Sequence, residues 1–151
     1  MRFLVTEECG RLARWLRLMG YDTEVVRGIP VSELYRKAYN GRRIVLTRNR
    51  RVKASCLFHV IHLNSLMLED QLRQVIRELS LPIDDDQLFT RCDCCNVPVE
   101  PVEKPLVKDR VPPHVYHKQT AFYTCPSCHR VYWAATHWQR ARALFESIKH
   151  G

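Results

Sequence analysis

The chain has 151 residues, 46% of them hydrophobic and 26% charged, which is enough apolar content for a packed core and excludes global disorder. It carries 24 Lys and Arg against 16 Asp and Glu, a formal charge of +8 shared by both halves: residues 1–88 hold 15 basic and 11 acidic groups, and residues 89–151 hold 9 and 5. No apolar run approaches the ~18 residues that cross a bilayer, and the opening MRFLVTEECG meets two glutamates too early for a secretory signal, so a cytoplasmic protein with no membrane partner is expected.

Residues 2–5 (RFLV) are β-formers, followed by Thr6-Glu7-Glu8, a cap and two acids suited to a helix N-terminus. In the stretch RLARWLRLMG, Leu12, Trp15, Leu16 and Met19 recur at i, i+3, i+4, i+7 and form one apolar stripe. Arg11, Arg14 and Arg17 take the other side, and Gly20 stops the helix. Residues 21–26 alternate loosely as a second strand. Pro30 opens a helix over 31–39 that ends at Asn40-Gly41. Residues 43–47 read as a buried strand, 50–57 as a short helix and 58–63 as a further strand. From 67 to 79 the helical period returns, with Leu68, Leu72, Val75, Ile76 and Leu79 on one face. This alternation predicts a three-layer α/β domain with a mainly parallel sheet. Residues 81–86 (LPIDDD) read as an acidic linker, so that domain spans 1–88, a second module spans 89–138, and 139–151 form a basic C-terminal helix or tail.

Five of the seven cysteines fall between residues 92 and 128. An odd count clustered in this way points to metal binding before disulfides. Cys92-x-x-Cys95 and Cys125-x-x-Cys128 each present two thiolates from a tight turn, and together they complete a tetrahedral sulfur shell suited to Zn²⁺. Four thiolates leave no open position, so the zinc is structural. Cys94 lies too close to Cys95 for joint ligation and stays outside the shell. His129 and His137 are read as neighbours of the site rather than ligands. Cys9 and Cys56 stand alone and are expected as buried small hydrophobes. Around the knuckles, Tyr116, Phe122, Tyr123, Tyr132, Trp133 and Trp138 alternate with Lys108, Arg110, Lys118 and Arg130. Most of these rings are expected in the small core beside the metal, and an exposed one is suited to stacking on a base.

Residues 36–53, RKAYNGRRIVLTRNRRVK, hold eight Lys or Arg and no acid. The predicted strand in the middle would place Thr47, Arg48, Asn49, Arg50 and Arg51 at its C-terminal edge, where open α/β sheets bind ligands. Arg42, Arg43, Arg48, Arg50, Arg51 and Lys53, with Arg11 and Arg14 before them and Lys108 and Arg110 after, form the candidate RNA-binding set. A basic balance over both halves favours such a polyanion through counterion release.

The motifs MRFLV, GRLARWLRLMGYDT, RIVLTRNR, RC-x-x-C-N, VKDRVPP-x-VY and C-x-x-C-x-x-VYW-x-x-x-HW follow one another in this order. In this the chain resembles the C-terminal RNase domain of the mutator-seven exonucleases, over about residues 1–138. The resemblance implies a PIN-like nuclease fold followed by a zinc ribbon, and a ribonuclease whose carboxylates hold Mg²⁺ or Mn²⁺ at the C-terminal ends of the strands. At the family's acidic positions this chain has Thr6, Asn49 and Asn64. Glu33 is the surviving acid, with Glu7 and Glu8 beside the first lost position. Neutral oxygens do not supply the charge that offsets dehydration of a hard divalent cation.

The expectation is therefore an RNA-binding protein, catalytically degenerate, engaging a structured RNA of the ribosomal (rRNA or ribosome) or tRNA class. One alternative is an active metal-dependent endoribonuclease with its metal on Glu7, Glu8 and Glu33. A second is a protein-interaction module. Thr6 and Asn49 are expected in one cleft at the sheet's C-terminal edge, with Glu33 alongside and Arg48, Arg50 and Arg51 on the rim.

Overall fold

A computed structural model describes the backbone of residues 1–151 and every side chain except those of residues 136 and 137. Its first lobe is a four-stranded sheet of β1 (Arg2–Thr6), β2 (Asp22–Val26), β3 (Ile44–Thr47) and β4 (Val60–His62), all parallel, in the order β2-β1-β3-β4. After β1 comes a single 3₁₀ turn, Glu7–Cys9, and then α1 (Gly10–Leu18). Helix α2 (Val31–Gly41) joins β2 to β3, and α3 (Leu68–Leu79) follows β4.

Alternation along each strand splits the apolar side chains between two faces. Phe3 and Val5 of β1 and Leu46 of β3 enter one core with Leu12, Leu16 and Met19 of the α1 stripe and Leu72 and Val75 of α3. Leu4 and Val45 point the other way, onto Leu34 and Ala38 of α2 and Val52 of the β3–β4 loop. Helices thus cover one face, and α2 with that loop covers the other. The predicted short helix at 50–57 is absent. This stretch is a turn-containing loop with an isolated bridge between Ser55 and Phe58. It is held because Val52 is buried, its carbonyl oxygen lies 2.7 Å from His62 Nε2, and the Lys53 amide donates to the Tyr35 hydroxyl. Parallel neighbours need a long crossover, and the apolar plug it carries decides its shape more than helix propensity does. Cys56 lies in this loop and is exposed, against expectation. Cys9 is buried as expected, where burial foremost, with Glu8 nearby, pushes its thiol up to about 11.

The second lobe is a three-stranded antiparallel sheet, β5 (Glu100–Val102), β6 (Phe122–Thr124) and β7 (Val131–Tyr132), with a short helix α4 (Pro113–Lys118). Two small clusters stabilise it. Val107, Val111 and Phe122 gather under Trp133, while Tyr132 packs on Cys92 and Cys125.

Helix α5 (Thr136–His150) then returns to the first lobe. Its Ala141, Phe145 and Ile148 are buried with Leu12, Leu16, Leu88 and Phe89, and Phe145 meets Trp15 edge-on at 5.6 Å between ring centres. The acidic stretch before residue 88 is docked rather than free. Leu81 is buried, Ile83 packs on the core, Tyr21 donates to the Pro82 carbonyl, and Asp85 pairs with Arg142 and Lys149. Gly20 (φ +95°) lets this segment approach, because a Cβ there would lie 2.6 Å from the Gln87 carbonyl oxygen.

Candidate functional site

The chain leaves β1 towards β2 on one side and returns from β2 to β3 on the other, so the order of connections reverses between the parallel strands β1 and β3. In open α/β sheets the crevice beyond the C-terminal ends of such a pair is where ligands bind. Thr6 ends β1 and Thr47 ends β3. Their hydroxyl oxygens lie 2.8 Å apart, and both donate to Glu8 Oε1, at 2.6 and 3.2 Å. The Arg48 amide donates to the same oxygen at 3.2 Å, and the Asn49 amide donates to Thr47 Oγ1 at 3.0 Å. Thr6 and Asn49 therefore both touch the Thr47 hydroxyl, and they line one cleft of about 190 Å³ with Glu7, Glu8, Val26, Leu34 and Val52.

Electrostatics at this edge centre on Glu8. Burial pushes its carboxyl up, yet donation from Thr6, its own backbone amide, the Arg48 amide and Thr47 outweighs this and holds it below the ordinary carboxylate value. Glu7 lies 3.8 Å from Arg27. Glu33 is not in the cleft: it pairs with Arg36 one turn along α2, at 3.3 Å. Asn64 sits apart too, its amide bonded to Gln74 and its side-chain oxygen 3.5 Å from Arg50. Glu7, Glu8 and Glu33 do not converge, so this donor set does not fit a hard divalent cation. The bonded pair Thr47–Glu8 is the element that sequence reasoning missed. Its signal, a Thr at the end of β3, was present but is meaningless until β1 and β3 are known to be neighbours.

The predicted basic residues divide by what they touch. Arg43 is spent inside the fold, only 12% exposed along its side chain, donating to the Phe3 carbonyl and to Asp22 Oδ1 at 3.0 and 2.9 Å. Arg14 meets Asp93 of the first knuckle at 2.8 Å, and Arg110 donates to the His129 carbonyl. Arg48 turns its Nε into a buried position with no partner among the described residues. Arg11, Arg42, Arg50, Arg51, Lys53 and Lys108 are exposed.

The cysteine pairs are built alike. The Asn96 amide donates to the Cys92 carbonyl at 3.0 Å and the His129 amide to that of Cys125 at 2.9 Å, both residues in the left-handed region at φ +63° and +65°. The amides of Cys95 and Cys128 point at the sulfurs of Cys92 and Cys125, each at 3.4 Å. The four sulfurs of Cys92, Cys95, Cys125 and Cys128 lie within 4.8 Å of one another, with Cys92 and Cys128 at 3.9 Å. A tetrahedron with ~2.3 Å metal–sulfur bonds puts its sulfurs about 3.8 Å apart, so the set fits a structural metal such as zinc. Cys94 stays outside it, beneath Arg130 at 2.9 Å. The His137 side chain lies outside the described residues. Among the described residues these four cysteines are the one gathered set of three or more His, Cys, Asp or Glu ligands.

The first knuckle is clasped to the first lobe. Asn96 donates to Asp22 Oδ1 at 2.7 Å and accepts from the Thr23 amide at 2.9 Å, while Arg17 donates to the Asp93 carbonyl at 2.9 Å. Arg14 and Arg17, read as a basic helix face, thus partly serve the junction.

A parallel α/β lobe with its crevice at the β1–β3 edge is followed by a module whose four cysteines could hold a structural metal. The chain belongs to the family described as the Mut7-C RNAse domain, which matches residues 1–145. No curated protein and no solved structure matches it. The membership supports a ribonuclease-related or RNA-binding role, and no helix is long and apolar enough to cross a membrane.

Proposed function

We propose that this chain is an RNA-binding member of the family whose nuclease edge has lost its metal chemistry. The observation that carries the reading is the composition of the β1–β3 edge: two hydroxyls 2.8 Å apart, the Asn49 amide beside them, and one carboxylate whose oxygen already accepts from both threonines and an amide. A metal-dependent phosphodiesterase needs convergent carboxylates that offset cation dehydration and hold the attacking water. At this edge only Glu8 reaches the two strand ends, and Glu7, which also lines the cleft, lies against Arg27.

The formal charge of +8 supports retained binding, since each neutralised phosphate releases counterions. The ligand class is a structured RNA, ribosomal RNA or the ribosome, or tRNA, met in the cytoplasm. Residues 1–88 form a PIN-like domain in this reading, residues 89–138 a zinc ribbon and residues 139–151 a basic C-terminal helix. Filter binding of a structured RNA at 50 and 200 mM salt tests it. Binding that weakens steeply with salt is expected, and no binding at 50 mM overturns it.

The second reading, an active metal-dependent endoribonuclease, draws on Glu8, which stays ionised in the cleft. Labelled RNA with added Mn²⁺ or Mg²⁺ distinguishes the two. Cleavage absent from a mock purification and abolished by Glu8→Gln establishes the second reading, and intact RNA leaves the first.

A further inference from the structure

At the opposite end of the sheet, where β3 begins, lies a cavity of about 570 Å³ lined by Tyr39, Asn40, Arg42, Leu57, Phe58 and His59 among others. It contains no carboxylate, unlike the β1–β3 cleft with Glu7 and Glu8. Tyr39 is 55% exposed and Leu57 62%, so an aromatic ring and an aliphatic side chain both face solvent at the cavity mouth. Beside them Phe58 stacks on Tyr35 at 5.1 Å between ring centres.

The end of α2 supplies a second, independent observation. The Arg43 amide donates to the Ala38 carbonyl and the Arg42 amide to that of Tyr39, the two bonds of a Schellman ending. In that motif the left-handed position is normally glycine. Here it is Arg42, at φ +52°, and the glycine stands one residue earlier. Gly41 has its own reason: a Cβ there would press at 3.2–3.4 Å on the Arg43 side chain, which must pass to reach Asp22. The same ending closes α3 with Ser80 at φ +47°, so the turn tolerates residues other than glycine; at α2 it carries an exposed cation to the edge of the cavity.

We propose that this cavity takes one unpaired nucleotide of an RNA, its base on the Tyr39 ring and its phosphate on Arg42, with the Asn40 amide and the His59 imidazole available to the base edge. A ring beside a cation, with no acid in the lining, suits a base with its phosphate, and stacking tolerates any base because every base has a π-face. This site rests on the RNA reading above but lies away from the β1–β3 edge, so the two can fail separately.

The test compares an RNA hairpin with an unpaired loop against a blunt duplex of the same stem, by fluorescence anisotropy. Wild type is expected to prefer the hairpin. Tyr39→Ala should lose about 10-fold in hairpin affinity and little in duplex affinity, and Tyr39→Phe should keep both. Arg42→Gly gives a signature that a structural role does not: thermal stability rises as the left-handed strain is relieved, while hairpin affinity falls. Arg42→Lys keeps the charge and should keep the strain and most of the binding. If Tyr39→Ala binds the hairpin as wild type does, the pocket proposal is overturned and the RNA reading stands. If wild type binds neither RNA, the RNA reading is overturned, and an NMR titration with uridine and adenosine monophosphates decides the pocket alone. Shifts at Tyr39 and His59 retain it, and none there ends it.

Discussion

Glu8 answers to four donors at the end of two strands, and its consequences can be measured one side chain at a time. Its folded carboxyl is held below the ordinary value. The stability it contributes is therefore complete above the unfolded carboxylate pKa of about 4.3 and is lost as pH falls through the depressed folded value. Urea melts between neutral and acid pH should show a shallower acid loss in Glu8→Gln than in wild type. The same edge predicts the result of restoring acids. Thr6→Asp together with Asn49→Asp adds two carboxylates beside Glu8 and removes the Thr6 donor. Mutual repulsion should cost about 1–3 kcal/mol in chelator, and millimolar Mg²⁺ or Mn²⁺ should recover it by binding only the folded state. Wild type should be indifferent to the ion. Affinity for RNA should fall in the double variant, because the added charges repel phosphate.

At the scale of elements, the two knuckles and the strands they close depend on one another. Cys125 is fully buried with Cys92 beneath Tyr132, and a segment this small has little other core. Cys125→Ser should lose the equivalent of zinc seen by metal analysis of wild type, along with the amide dispersion of residues 89–133, while β1 to β4 keep theirs. Strands and helices were legible in the sequence where one face of a regular period meets a core. The α1 stripe and the five apolar positions of α3 all pack against the first core. The loop at 50–57 was not legible, because its shape follows from a buried Val52 and from hydrogen bonds to Tyr35 and His62, partners set by sheet order. The cleft was legible in part. Thr6 and Asn49 could be named from motif positions and do share a cleft, whereas Glu33 was assigned to it and instead pairs along its own helix. Side-chain direction on α2 decides that, and residue type alone does not reveal it.

For the whole molecule, the decisive contact is between its two ends. Phe145 of α5 has no exposed surface and shares a cluster with Phe3 and Val5 of β1. Phe145→Ala should cost about 3–5 kcal/mol, read as a lowered urea midpoint. Zinc content should be unchanged, since the cysteines lie in another cluster. Long-range charge pairs add orientation: Asp85 meets Arg142 and Lys149, and Asp22 ties Arg43 to Asn96 of the knuckle. The Asp85 pairs are solvent-exposed and contribute little each, so the apolar face of α5 does more than they do to hold it to the first lobe.

That closing helix also sets an order of events on the synthesising ribosome. The face of the sheet that holds Phe3, Val5 and Leu46 acquires Phe145 and Ile148 only when residues 145–148 have been made. Strand β1 therefore waits for helix α5, and the cysteine module lies between them in the chain. Metal uptake can be local and early, whereas completion of the first core is a long-range step governed by chain closure. A released chain truncated before residue 141 should hold a protected cysteine module beside a first lobe that remains open to proteases.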